Sequence, residues 1–203
     1  MANTSSAFGL KPVRHLDGSP WNGNVVKCYK GAGYATALFV GDPVLLSPTL
    51  AEKDDTGMHP TVNASAGTDG TIIIGPVVSV EPDPDNLDKV YSPASTAGYV
   101  NVCMDPTVIY EVRGDGGGTP TSVFPGQNAV LIATTSGSTL TGLSGFNLDE
   151  GTTTAPTTTQ SFTLHIMNIK NSADNELGDD AVYEVLLNTC ENATGKILGV
   201  TAS

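Results

Sequence analysis

Val108-Ile-Tyr-Glu-Val-Arg113 is the stretch that decides the fold class of this chain. Successive side chains of a strand point to opposite faces, so the apolar first, third and fifth residues share one face. Glu111 and Arg113 point to the other face. This alternation predicts a half-buried strand with one dry and one wet face, which is typical of an antiparallel sheet.

Short apolar runs of the same kind recur along the chain, separated by turn residues. With 23 Gly, 13 Pro and only 15% charged residues, the composition disfavours long helices. We therefore predict an all-β fold, an antiparallel β-barrel or sandwich with long loops and an extended N-terminal arm. Gly75-Pro76 is expected to divide its run with a bend or bulge, and Asn128–Thr134 fits either a short strand or a turn of helix. The predicted strands are Val25–Lys30, Ala37–Val40, Pro43–Leu46, Thr71–Glu81, Gly98–Met104, Val108–Arg113, Ser161–Lys170 and Ala181–Leu187.

Three segments are expected along the chain. Residues 1–24 form an N-terminal arm, residues 25–150 the main β domain, and residues 151–203 a set of C-terminal strands that pack on the same domain. The internal boundary is placed at Gly151–Gln160, within the Thr- and Pro-rich stretch of low complexity Glu150–Gln160. Ala51–Gly70 and Gly114–Thr121 are expected to be long loops.

The N-terminal arm is the candidate contact surface. Its apolar residues are interrupted by Gly and Pro and are too few to form a core of their own, so we expect them to bury against a neighbouring subunit. The candidate interface residues are Phe8, Leu10, Pro12, Val13, Arg14 and Trp21.

Charge excludes one class of partner. The net charge is −12 and the sequence contains no cluster of Lys and Arg, so no nucleic-acid partner is predicted. No apolar run approaches the roughly 20 residues that a membrane helix needs. The first residues lack a basic region followed by an apolar run, so we predict no signal peptide and synthesis in a cytoplasm.

No constellation of residues predicts catalysis or metal binding. The three histidines stand without a G-x-S-x-G motif, and the glycines of Gly114–Gly118 lack nucleotide-binding spacing. In the acidic run Asp83–Asp88, Leu87 occupies a position where a calcium loop needs an oxygen ligand. The acidic residues at 174–180 are expected to form a solvated hairpin loop. The three cysteines form no CxxC pair and are expected to be reduced and partly buried. Together these observations predict no enzyme activity, no metal and no cofactor.

Three stretches of the sequence resemble a family of head structural proteins of tailed bacteriophages. They cover nearly the whole chain in order, and the family resemblance implies a structural role in the virion. The first combines Ala7–His15 with Gly41–Val44, the second is Asp105–Val112, and the third runs from Thr141–Gly145 through Asp174–Gly178 to Tyr183–Val185.

Within a virion, the sequence favours a capsid decoration (cement) subunit on the outer surface of the head. A shell-forming capsid protein needs a long spine helix, and no helical period of that length is present. The acidic charge also suits the outside of a shell better than its DNA-lined inside. The expected partners are the major capsid protein and further copies of the chain, in a homotrimer by analogy with such proteins.

Other functions stay open at this stage. They are a major capsid protein, a tail or fibre component that binds host polysaccharide, and a small β-barrel enzyme that hydrolyses nucleotides. One Trp and six Tyr make a poor aromatic platform for a polysaccharide, and the sequence assembles no acidic, Gly-rich pocket for a nucleotide.

Overall fold

The computed structural model describes residues 3, 5–47, 53–84 and 86–192. These residues form twelve strands and no helix, in two five-stranded antiparallel sheets and one two-stranded sheet, so the all-β prediction is confirmed. The packing is sandwich-like without closure into a barrel. The strands are β1 Lys11–His15, β2 Val26–Lys30, β3 Pro43–Leu46, β4 Val62–Ala64, β5 Gly75–Val80, β6 Gly98–Val102, β7 Val108–Arg113, β8 Asn128–Ala129, β9 Leu131–Ala133, β10 Phe146–Leu148, β11 Leu164–Ile169 and β12 Val182–Leu187.

The first sheet has the order β1-β7-β12-β11-β8, with β7 between β1 and β12. β7 places Val108, Tyr110 and Val112 in the larger hydrophobic core, as their alternation predicts. The same core receives the apolar faces of β11 and β12. The acidic segment 174–180 lies in the connection between β11 and β12, where a hairpin loop is expected.

The second sheet has the order β2-β6-β5-β3-β4 and its own smaller core. That core lies entirely between Cys28 and Val102 in the sequence. β7 to β12 follow β6 and lie in the other two sheets, while β1 joins the first sheet from the N-terminal side. β11 and β12, which follow residue 150, lie in the first sheet beside β7. All three cysteines are buried in the fold.

Several predicted elements need correction. Ala37–Val40 forms no strand and makes only single-residue bridges, Leu38 to Ser92 and Val40 to Leu143. Gly75 and Pro76 do not interrupt a strand but begin β5, where Pro76 pairs with Pro43 of β3. The disturbance in β5 lies further along, as a register shift between positions 77 and 79. The expected loop Ala51–Gly70 contains β4, and the ambiguous Asn128–Thr134 forms β8 and β9.

The Thr- and Pro-rich stretch 151–160 is fastened to the fold and does not act as a linker. The Asp149 carboxylate accepts hydrogen bonds from the backbone N–H groups of Gly151, Thr153 and Thr154, the last at 2.7 Å. Asn128 and Thr157 exchange both backbone hydrogen bonds, at 2.7 and 2.9 Å. Turn residues capped in this way follow a defined path, because side-chain acceptors replace the missing ladder partners.

Two glycines fix the entry of the N-terminal residues into the fold. Gly9 has φ +70° and Gly41 has φ +96°, both in the left-handed region that favours glycine. Their backbones cross in contact, and a Cβ at Gly41 would overlap the Phe8 carbonyl oxygen. Across this crossing the Leu10 N–H donates to the Gly41 carbonyl at 2.9 Å. Only residues without a side chain allow the two segments to approach so closely.

We predict that Gly41→Ala lowers the free energy of unfolding by clearly more than Gly18→Ala. Gly18 has φ +89°, but no atom lies within 4 Å of the place that a Cβ would take there, so its substitution carries only the conformational cost of about 1–2 kcal/mol. At Gly41 the overlap with backbone adds to that cost. Urea unfolding of the two variants and the parent protein measures the difference. Equal losses in both variants would show that the crossing is not tightly packed.

Candidate functional site

The N-terminal segment lies against its own domain. The Asn3 side chain holds one end, because its Nδ2 donates to the carbonyls of Glu176 and Asp179, at 2.9 and 2.8 Å, and its Oδ1 accepts from the Glu176 N–H at 2.9 Å. At the other end Leu10 is only 1% exposed in the larger core, and β1 pairs with β7. The expectation of an arm across a neighbouring subunit therefore needs correction for these residues. Leu10 in particular is not available to a partner.

Four of the six candidate interface residues meet at one place. Phe8, Leu10, Pro12 and Trp21 line a single, mainly apolar cavity of about 310 Å³, which we call the apolar groove. The groove is completed by Lys11, Val40, Gly41, Val77, Val78 and Leu143. Its walls thus come from the N-terminal segment, from β5 and from two connections, and this convergence is a property of the fold.

Val13 and Arg14, the other two candidates, lie elsewhere. The Val13 carbonyl accepts the backbone N–H of Trp21 at 3.2 Å and so positions the indole. The Arg14 guanidinium pairs with Glu184 at 2.6 Å across the outer face of the first sheet. Next to this pair, Glu111 lies 3.2 Å from the Lys170 ammonium. These charges are paired within the chain. Arg14 therefore contributes to the first sheet and is less available to a partner.

A loop next to the groove carries the most exposed leucine among the residues that the structure describes. The loop of residues 138–144, called here the leucine loop, is closed by a hydrogen bond from the Ser138 N–H to the Leu143 carbonyl at 2.8 Å. It is fixed to the domain on both sides of Val40, whose N–H donates to Gly142 and whose carbonyl accepts from Ser144. Leu140 at its tip is 88% exposed.

The leucine loop forms part of a larger apolar surface. Val90, 42% exposed, lies next to the loop, because a Cβ at Gly142 would overlap the Val90 carbonyl oxygen. Leu143 lines the apolar groove and also two neighbouring clefts of about 260 and 510 Å³. Exposed apolar residues that cluster in this way are typical of an interaction surface. Sequence reasoning missed Leu140, because a leucine among Ser, Thr and Gly gives no periodic signal.

The second face of β7 contains a buried polar network. Arg113 donates through Nε to the Asn147 amide oxygen at 3.3 Å and pairs with the Asp180 carboxylate. This face was expected to be wet, but β10, which carries Asn147, and the β11–β12 connection, which carries Asp180, cover it. On the side of the larger core, which contains Tyr183, Glu150 is 1% exposed and accepts from the Tyr183 hydroxyl at 2.7 Å and from the Gly116 N–H at 2.9 Å.

Burial shifts the titration of Glu150. Its pKa rises to about 7, first because the carboxyl is desolvated and less because Asp115 and Asp180 are close; hydrogen bonds from Tyr183 and Gly116 partly oppose the rise. The raised pKa puts the carboxyl near its midpoint at neutral pH. The contacts described for it are those of a structural group that holds the Gly-rich connection after β7.

The histidines considered for catalysis are not brought together. The Nδ1 of His15 lies 3.4 Å from an Asp105 oxygen, the ring of His59 packs edge-on against Tyr99, and the Nδ1 of His165 lies 2.8 Å from the Asn128 amide oxygen. In the described ranges, no group of three or more His, Cys, Asp or Glu is placed to hold a metal ion. Among the same residues, no helix is long and apolar enough to cross a membrane.

Comparisons with known proteins give no relative. No protein-family model, no curated protein and no solved structure matches this chain. The candidate site therefore rests on the geometry of this molecule.

We predict that Glu150 makes the protein less stable as the pH rises. The folded-state pKa of about 7 lies above the ordinary value of 4.5, so the folded state binds this proton more tightly than the unfolded state. The contribution is complete below pH 4.5 and is lost as the pH rises through about 7. The loss is on the order of 3 kcal/mol at 1.36 kcal/mol per pKa unit.

Urea unfolding between pH 4.5 and 7 measures this effect in the parent protein and in Glu150→Gln. Gln keeps an acceptor for the Gly116 N–H but does not titrate, so its curve should be flatter. Asp42→Asn is the control. Burial raises the pKa of Asp42 to about 6, so the loss of stability that Asp42 causes is complete at a lower pH than the loss that Glu150 causes. An unchanged slope in Glu150→Gln would contradict the assignment.

Proposed function

We propose that this protein is a virion structural protein, a capsid decoration subunit that binds the outer surface of a phage head and stabilises the DNA-filled shell. One observation carries the proposal. Stretches that resemble head structural proteins lie far apart in the sequence but meet at one place in the fold, where Gly9, Gly41 and Ser144 are in contact. Asn3, just before the first stretch, is bonded to Glu176 of the third.

The exposed groups of this surface favour binding over chemistry. The leucine loop presents Leu140 to solvent beside Val90 and Leu143, and its backbone is held by hydrogen bonds. A rigid apolar projection binds a partner with little loss of conformational freedom. We assign the leucine loop as the main contact with the shell.

The overall charge and architecture support the outer location. A net charge of −12 opposes contact with packaged DNA and is tolerated on the solvent side of a shell. A shell-forming subunit would need a long spine helix, and the described residues contain no helix. Three copies around a threefold position would present three leucine loops at once, so that the second and third contacts become intramolecular.

We predict that Leu140→Ser weakens attachment to capsids. Full burial of a leucine contributes about 1.5–3 kcal/mol, so its loss weakens attachment roughly ten- to hundredfold per contact. Met58→Ser is the control, because Met58 is 80% exposed in a different loop. Sedimentation of each variant with undecorated particles measures the bound fraction. Equal binding by both variants and the parent would exclude the leucine loop as the contact.

We further predict that particles without this subunit assemble but release DNA at a lower temperature. A ligand that binds only the assembled lattice stabilises it by about 2.7 kcal/mol per site at a hundredfold excess over Kd. Thermal release of the genome, followed with a DNA-binding dye, compares particles with and without the subunit. Identical release curves would refute the stabilising role and would favour a host-surface function.

A further inference from the structure

The connection between β1 and β2 contains the single Asn-Gly step of the sequence, Asn22-Gly23. Both residues are exposed and lie outside any strand. Among the described residues, none is hydrogen-bonded to the Asn22 side chain or to the Gly23 N–H. Gly23 has φ +83°, and no atom lies within 4 Å of the place that its Cβ would take. The side-chain amide and the backbone nitrogen that follows it are therefore open to solvent and are not held by neighbouring residues.

An asparagine followed by glycine can react with its own backbone, because no side chain of the next residue hinders the approach. The Gly23 nitrogen attacks the Asn22 Cγ, and a new C–N bond forms. The Cγ–Nδ2 bond breaks, and ammonia leaves with the proton that the Gly23 nitrogen gives up. Water then adds to either carbonyl of the five-membered succinimide ring and opens it to an aspartyl or an isoaspartyl residue. The whole conversion consumes only water and releases only ammonia.

The structure separates this step from the other steps of the chain that can form the same ring. An Asp-Gly step forms it with loss of water, and the sequence contains three such steps, Asp17-Gly18, Asp69-Gly70 and Asp115-Gly116. In all three the glycine N–H donates a hydrogen bond, to the carbonyls of His15 and Ser161 and to the carboxylate of Glu150, at 2.9, 3.1 and 2.9 Å respectively. A nitrogen bonded in this way must lose its partner before it can turn towards a side-chain carbon. Only the Gly23 nitrogen is without such a bond in the part of the chain that the structure describes.

We propose that Asn22 is a site of spontaneous deamidation in the folded protein, with aspartyl and isoaspartyl residues as its products. The site directly follows Trp21, which lines the apolar groove and is held by the Val13 carbonyl at 3.2 Å. Conversion adds a negative charge next to this groove-lining residue. The isoaspartyl form also adds one carbon atom to the main chain between Trp21 and Gly23. An older molecule therefore differs from a new one beside the groove, and this inference does not rest on the decoration role.

Incubation of the folded protein at neutral pH over days tests the proposal. Peptide mass spectrometry, with isoaspartyl methyltransferase as the probe of the isoaspartyl form, should show both products at position 22. Asn24 and Asn171 are the internal controls, because they are exposed but are followed by residues with a side chain, and they should stay intact. Gly23→Ala should slow the conversion roughly tenfold, because a Cβ hinders the approach of the nitrogen. Position 22 that stays as intact as Asn24 in the folded parent protein would overturn the proposal.

The same incubation in urea tests the part that the hydrogen bonds play. Unfolding removes the bonds of the three Asp-Gly glycines, so these steps should form isoaspartyl residues in the unfolded chain and not in the folded one. Position 22 should react in both states. Asp-Gly steps that react equally fast in both states would show that the bonds give no protection and would overturn the selection of Asn22. Asn22→Gln should abolish the signal at this position, since its longer side chain does not form the five-membered ring.

Discussion

The backbone crossing of Gly9 and Gly41 is the constraint on which the rest of the surface depends. Both residues adopt positive φ, and each lies where a side chain would overlap the backbone of the other segment. The crossing directs Leu10 into the larger core and positions Phe8 over the groove. Because Ser144 packs against the same point, the leucine loop is placed by the same contact. One close approach thus joins three segments that are distant in sequence.

The two five-stranded sheets differ in which parts of the chain form their cores. The second sheet encloses a small core of residues from one continuous part of the chain, whereas the first sheet gathers strands from residue 11 to residue 187. Its strand β7, which lies between β1 and β12, is buried on both faces, one against apolar side chains and the other against the network around Arg113. Buried charges need partners, which is why Asn147 and Asp180 converge there. The network links β7 to β10 and to the connection between β11 and β12.

The strands with alternating side chains could be predicted from sequence, and the surface could not. In β7 the alternation identified the core residues, but its polar face is buried because non-local segments cover it, which periodicity does not report. β1 was not predicted as a strand, because it contains Pro12 and lies within the expected N-terminal arm. Proline is tolerated there because β1 lies at the edge of the first sheet. The Thr-rich stretch 151–160 looked like a linker because its order comes from the Asp149 side chain. Phe8, Leu10, Pro12 and Trp21 were recognised as apolar residues without a local core, and the fold supplied that core from the same chain.

The groove and the leucine loop differ in shape, and their shapes suit different partners. The groove is recessed between walls that belong to the domain, so an occupant must be narrow and extended, as a chain segment is. Leu140 protrudes from a closed loop and can enter a hollow on a large surface without any rearrangement. Leu143 belongs to the loop and also lines the groove, so an occupant of the groove would contact the base of the loop. The backbone of the loop is held by hydrogen bonds to Val40, which reduces the entropy that is lost when Leu140 is buried against a partner.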